Sequence, residues 1–179
     1  MLISICPEFR ISTDLLQMKI EAQDGLLQAQ IRATPGHTTL RLPANFDFSS
    51  SYRQTWLRKV IADILRWQCR HLLTPRITAY AERGDLHFNR IVYKDIRSKW
   101  GSCSSLKNLN FSVWLLLLPS HLIDYVICHE LAHLNQLNHS ADFWKEADRI
   151  LNKAGEAQKL DKELNNFIRS SLDNKTSRF

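Results

Sequence analysis

A chain of 179 residues is long enough to bury one core and short for two, and 44% hydrophobic with 23% charged residues is a globular composition, not a disordered one. A net charge of +6 and a pI near 9.3 suit an anionic partner or simply a basic surface. No apolar run reaches the length of a membrane span, Met1 to Arg10 lacks the plan of a secretion signal, and Cys6, Cys69, Cys103 and Cys128 form no C-x-x-C pair, so a reduced, cytoplasmic protein is expected.

In chain order, Leu16, Met18 and Ile20 alternate with polar residues, Asp24-Gly25 signals a turn, and Leu27, Ala29, Ile31 and Ala33 alternate again. After Pro35-Gly36 the pattern continues through Leu40 and Leu42. This predicts an antiparallel β meander with one apolar face. Ser49, Ser50 and Ser51 offer caps for a helix through Trp56, Leu57, Val60, Ile61, Ile64, Leu65 and Leu72 that stops at Thr74-Pro75. Its other face carries Arg53, Arg58, Lys59, Arg66 and Arg70, read as a solvated face, with nucleic acid as the less favoured partner. Ile77, Ala79 and Ala81 suggest a strand, and Phe88 to Ile96 an extended segment.

The run Arg97-Ser98-Lys99-Trp100-Gly101-Ser102-Cys103-Ser104 has no periodicity, and Gly101 within it marks a bulge or a close backbone approach. Leu109, Phe111, Val113 and Leu115 predict a further strand ending in Leu115–Leu118. An edge strand there would hold an extended substrate by main-chain pairing. Pro119 breaks it, and Ser120 is placed to cap the next helix. A last helix is expected over Gln158–Leu172.

Between them lies His129-Glu130-Leu131-Ala132-His133, on a helix marked by Ile123, Val126, Ile127, Leu131 and Leu134. At about 100° per residue the two histidines lie one turn apart on one side, where both can reach a metal, with Glu130 beside it as general base. His139 would be about 15 Å beyond His129 on a straight helix. It becomes the third ligand only if the chain leaves the helix near Leu137 and doubles back, with Asn135 and Asn138 suited to the turn and Ser140 capping a helix through Phe143, Trp144, Ile150 and Leu151. Glu146, then Asp142 and Asp148, are the competing third ligands. His37, His71, His87 and His121 lack ligand spacing. Cys128 reads as core, and Cys103 as a small packed residue, with a thiolate beside the metal as the alternative.

Taken together, Arg97…Trp100-Gly101-Ser102-Cys103, Pro119, Asp124-Tyr125-Val126, the H-E-L-A-H run, Asn138-His139-Ser140 and Phe143-Trp144 resemble the YgjP-like metallopeptidase family, which is related to the SprT-like and WLM-type zinc peptidases of the minimal gluzincin kind. The resemblance implies an α+β fold: a twisted, mostly antiparallel sheet packed on the H-E-x-x-H helix, with the β meander before it and helices after it. It implies one Zn2+ per chain on His129, His133 and His139, Glu130 as general base, and the W-G-S-C segment beside the cleft. The metzincin pattern is excluded by Gln136 where it needs Gly and by methionines only at Met1 and Met18. Tyr125, Arg97, Lys99, Trp100, Gly101 and Cys103 are the candidates for the cleft or for oxyanion stabilisation.

The domain expected is 1–172, with a β-rich part over 1–49, a catalytic core over 50–172 and a frayed tail over 173–179. The leading function is a zinc-dependent peptidase acting on peptides or proteins. The alternatives are a metal-dependent phosphoanhydride hydrolase acting on nucleoside triphosphates, motivated by Arg97, Lys99 and Lys107, a protease working on DNA-bound proteins, and a binding module with a structural zinc.

Overall fold

The structure, a computed structural model, describes residues 4–173. Residues 1–3 and 174–179 lie outside the described residues, so the expected tail is represented only by Asp173, which ends the last helix. Strands β1 (Arg10–Ser12), β2 (Gln17–Gln23), β3 (Gln30–Thr34) and β4 (His37–Pro43) precede a long helix, α1 (Ser51–Arg83). Strands β5 (Arg90–Lys94), β6 (Gly101–Cys103) and β7 (Asn108–Ser112) follow, then a 3-10 turn at Val113–Leu117 and helices α2 (Ser120–Ala132), α3 (Ala141–Leu151) and α4 (Ala157–Asp173). The fold is α+β, as expected, with two small, mostly antiparallel sheets, one from the N-terminal strands and one beside the motif helix.

The N-terminal sheet is not a meander. Its order is β1-β2-β4-β3, and β2 runs parallel to β4, Gln17 opposite His37 and Ile20 opposite Leu40. A period of two identifies a strand and its apolar face but not its neighbour. Burial makes the choice. Met18 and Ile20 of β2 and Leu40 and Leu42 of β4 are buried side by side, whereas β3 is exposed along its length and stays at the edge. The Pro35-Gly36 turn does join a hairpin, β3 to β4, with Gly36 at φ 82°.

Two buried glutamines fasten α1 to what lies over it. Gln54 bonds both main-chain groups of Ile5 and the Phe48 carbonyl, and Gln68 accepts from Gly36 N–H while donating to Thr34 O and Thr38 Oγ1. Ser50 caps the helix by accepting from Arg53 N–H.

Pro75 does not end α1, and no strand forms at 77–81. Cys69, Leu73, Ile77 and Ala81 are buried at a spacing of four, so the core-facing stripe continues past the proline. Pro75 itself is exposed, which leaves the carbonyl it cannot bond one turn earlier within reach of water. The basic face of α1 is partly committed. Arg53 lies over the Phe46 ring, and Arg66 pairs with Asp63 and donates to Tyr93 O.

The expected strand through Leu118 stops at Ser112, whose hydroxyl donates to Ile96 O and accepts from Trp114 N–H, capping the 3-10 turn. That turn buries Val113, Leu115 and Leu116 at once, which a strand with two faces would not. In the second sheet, ordered β5-β7-β6, β7 is central and β5 and β6 are the edges, β6 being the one that lies against α2. The edge strand nearest the motif helix is therefore β6, and not the strand directly preceding that helix.

Ser120 does not cap α2. Its N–H donates instead to Asp14 Oδ2, a cap delivered from the N-terminal part, and its hydroxyl accepts from Arg76. Among the described residues, no helix is long and apolar enough to cross a membrane.

Candidate metal centre

Helix α2 presents His129 and His133 from its last turn. It ends at Ala132 with His133 as its C-cap, one turn sooner than expected. No residue of the exit has a positive φ. Leu134 N–H donates to Leu131 O, and Asn135 and Gln136 N–H both donate to Ala132 O, so neither Asn135 nor Asn138 adopts a left-handed conformation. Ser140 then caps α3 by accepting from Phe143 N–H. This tight turn brings His139 back beside the helix.

The result is a convergence of three ring nitrogens. His129 Nε2 lies 3.3 Å from His133 Nε2 and 3.0 Å from His139 Nε2. Phe143, fully buried, forms the floor, its ring centroid 4.9, 4.7 and 4.6 Å from those of His129, His133 and His139. Trp144 stands at the outer side against His139.

The hydrogen bonds made by the other ring nitrogens suit a cation here. Nδ1 of His133 is 2.9 Å from the carbonyl of Gln136, which can only accept, so that nitrogen carries the proton and Nε2 is bare. Nδ1 of His129 is bonded to the Tyr125 hydroxyl at 3.0 Å. Tetrahedral ligands at the zinc–imidazole distance of about 2.0–2.1 Å lie about 3.3 Å apart, close to the spacings found. The three histidines are thus placed to bind one metal ion. Burial, together with the neighbouring His133 and His139, pushes His129 down to about 3, and burial also lowers His133, so both favour the neutral form a metal requires.

Glu130, next to His129 on the helix, is turned toward β6. It is buried, and a Cβ at Gly101 would sit 2.5 Å from its Cγ and 2.6 Å from its Oε1. Gly101 is thus the close approach that its position in the sequence suggested. The Cys103 N–H bonds the Glu130 carboxylate, while Oε2 is buried with no protein partner. Burial pushes Glu130 up to about 8, against the opposing pull of Lys99 and of that N–H.

Ser104 N–H donates to Asn108 O and Ser112 N–H donates to Trp100 O. In an antiparallel pair this alternation turns the main-chain groups of Gly101 and Cys103 away from β7, to the open edge beside Glu130.

The other cleft candidates are placed differently. Tyr125 is 1% exposed and stands behind His129, its hydroxyl donating to Asp161 Oδ1 at 2.8 Å. Burial and Asp161 hold that phenol well above its ordinary value. Arg97 stacks over the Trp114 ring at 4.4 Å. Lys99 is exposed and lends its charge to Glu130. Trp100 packs against the core, and its carbonyl accepts from Ser112. Cys103 is half-buried and kept as the thiol by burial and by Glu130.

The competing carboxylates serve elsewhere. Glu146 is held by Arg149 and Asn135, Asp142 pairs with Lys145, and Asp148 accepts from Gly155 and Ala157 N–H at the start of α4. His37, His71, His87 and His121 are exposed and apart from the cluster, and Cys128 is core. Asp161 has no counterpart among the sequence candidates. It lies far along the chain on a helix whose only visible signal is its apolar spacing.

Two solved structures are similar to part of this chain. The zymogen of the metallopeptidase abylysin from Pyrococcus abyssi is 17% identical with a TM-score of 0.48, covering 55% of this chain and 96% of that one. The zymogen of the metallopeptidase jannalysin from Methanocaldococcus jannaschii is 20% identical with a TM-score of 0.44, covering 51% and 92%. No curated protein matches. The family model of the YgjP-like metallopeptidase domain matches residues 14–167, which take in the whole histidine cluster, Glu130 and the β6 edge, and the chain belongs to that family.

Proposed function

We propose that this protein is a zinc-dependent peptidase in which His129, His133 and His139 hold one zinc ion and Glu130 is the general base. The observation that carries the reading is the convergence of the three imidazoles, with the Nδ1 atoms of His129 and His133 bonded elsewhere. Zinc bound there supplies a Lewis acid and lowers the pKa of a water at its open position.

The chain's own residues supply the rest. Glu130 has one oxygen occupied by the β6 edge and the other, Oε2, without a protein partner. A carboxylate whose proton affinity lies near neutral pH can take a proton and return it to a leaving amine. The main-chain groups of Gly101 and the Cys103 carbonyl, which the Glu130 bond leaves available at the edge of β6, would align an extended peptide across Glu130. Phe143 excludes water from beneath the imidazoles. In this reading residues 1–172 act as one domain, with the chemistry in 50–172.

The test is Glu130→Gln. The glutamine keeps the size of the side chain and an acceptor for Cys103 N–H. Hydrolysis of a casein or unstructured-peptide substrate is expected to fall at least about 100-fold with metal content unchanged. Undiminished turnover would remove Glu130 from the mechanism. Zinc retention in His139→Ala equal to that of the unmodified protein would remove His139 from the ligand set.

A further inference from the structure

Behind His129 runs a short chain of hydrogen bonds that crosses from α2 to α4. The Tyr125 phenol has one proton to give. The Asp161 carboxylate, 2.8 Å away, accepts it, and its other oxygen, Oδ2, accepts from Asn165 Nδ2 at 3.2 Å. With its proton given to Asp161, the phenol oxygen can only accept from His129, so Nδ1 of His129, at 3.0 Å, must be the donor. Nε2 is then bare, and Nε2 is the atom that faces His133 and His139. Tyr125 and His129 are one turn apart on α2, which is why one hydroxyl can reach the ring of the other. Burial of Tyr125 leaves little room for water to replace the bond.

We propose that Asp161, acting through the Tyr125 hydroxyl, is a positioning residue that holds His129 in the Nδ1–H tautomer with Nε2 turned to the metal, so that α4 is a structural part of the metal centre. The proposal rests on the metal-binding reading of His129. Neither residue touches substrate or metal. A second contact between the same helices, His121 Nε2 to Glu163 Oε1 at 2.6 Å, lies on the exposed side and supplies an internal control.

The experiment uses the full chain labelled with 15N-histidine. The ring-nitrogen shifts of the metal-free protein report the His129 tautomer, and competition with a chromophoric chelator reports zinc affinity. Tyr125→Phe, Asp161→Ala and Glu163→Gln are compared, with circular dichroism to establish that each is folded. Tyr125→Phe is a near-isosteric change that keeps the ring packing. In the unmodified protein the Nδ1–H form is expected. Tyr125→Phe and Asp161→Ala are expected to lose that preference and to bind zinc about 10- to 100-fold more weakly. Glu163→Gln is expected to change neither.

An Nε2–H form of His129 in the unmodified protein overturns the proposal. So does a Tyr125→Phe protein with unaltered tautomer and affinity. An equal loss in Glu163→Gln also overturns it, since packing of α4 alone would then account for the effect. Failure of the unmodified protein to bind zinc overturns the proposed metal centre instead, and the tautomer of the metal-free protein still decides the role of Asp161.

Discussion

Gly101 on β6 and Glu130 on α2 touch so closely that no other amino acid fits at position 101 with the glutamate where it stands. A methyl group there would meet Glu130 Cγ, Oε1 and Cδ at 2.5, 2.6 and 2.8 Å. The backbone at Gly101 is not in the left-handed region, so the need for glycine is one of space alone. Gly101→Ala should therefore displace Glu130 and leave the three histidines in place. Peptide hydrolysis is expected to fall about 100-fold, the cost of moving a reacting group by about 1 Å, with stoichiometric zinc retained. Measured kcat and metal content on the same sample check this. Full activity would show that Glu130 works from another position.

The pair Arg76–Asp124, at 3.1 Å, joins α1 to α2 one turn before Cys128. Arg76 Nη1 and Asp124 Oδ1 are both buried without a further partner. Burial raises the pKa of Asp124 even though Arg76 pulls it down. A carboxyl that binds its proton more tightly when folded loses stability as pH rises from the unfolded value, about 4, through the folded one. Removing the arginine raises the folded value further. Arg76→Met should therefore destabilise by about 2 kcal/mol at pH 7 and by less at pH 4, the partial exposure of both side chains keeping the cost below that of a fully buried pair. Asp124→Asn should cost less than Arg76→Met at pH 7. Urea denaturation at the two pH values measures all three differences, and a larger penalty at pH 4 would contradict the sign.

Gln68 is fully buried and holds the β3–β4 turn to α1 through Gly36, Thr34 and Thr38. Gln68→Leu preserves volume but strands Gly36 N–H, Thr34 O and the Thr38 hydroxyl. A loss of about 3 kcal/mol is expected, with the hairpin becoming accessible to limited proteolysis before the remainder unfolds. A neutral substitution would mean that the hairpin is fixed by its apolar contacts alone.

The convergence of the three histidines was legible in the sequence because they lie within one helix and the turn that follows. A four-residue spacing puts His129 and His133 on one face without reference to any other part of the chain. Ser140 and the apolar spacing of α3 likewise announce the return that brings His139 back. The W-G-S-C run was legible as a break in periodicity with a close approach at Gly101, but not the partner of that approach, since the side chain that makes Gly101 necessary comes from another element. Asp161 and the Asp14 cap were not legible, because a single hydrogen bond between distant segments leaves no periodic trace. The same reason hid the neighbour of β2. Pro75 misled because a proline opposes an interior helical position locally, whereas the packing of Leu73, Ile77 and Ala81 that carries α1 past it is tertiary and leaves no local sign.

The early end of α2 has an electrostatic consequence. The aligned peptide dipoles of a helix leave about half a negative charge at its C-terminus, on carbonyls with few partners of their own. His129 and His133 leave α2 in its final turn, so a divalent ion held between them lies at that negative end. Cation binding and helix termination then reinforce each other. Loading zinc should slow amide exchange over residues 129–136, and stripping it should let that turn fray while the centre of α1 is unchanged. Hydrogen-exchange mass spectrometry of the two forms reads this directly, and equal exchange in both would uncouple the end of the helix from its metal.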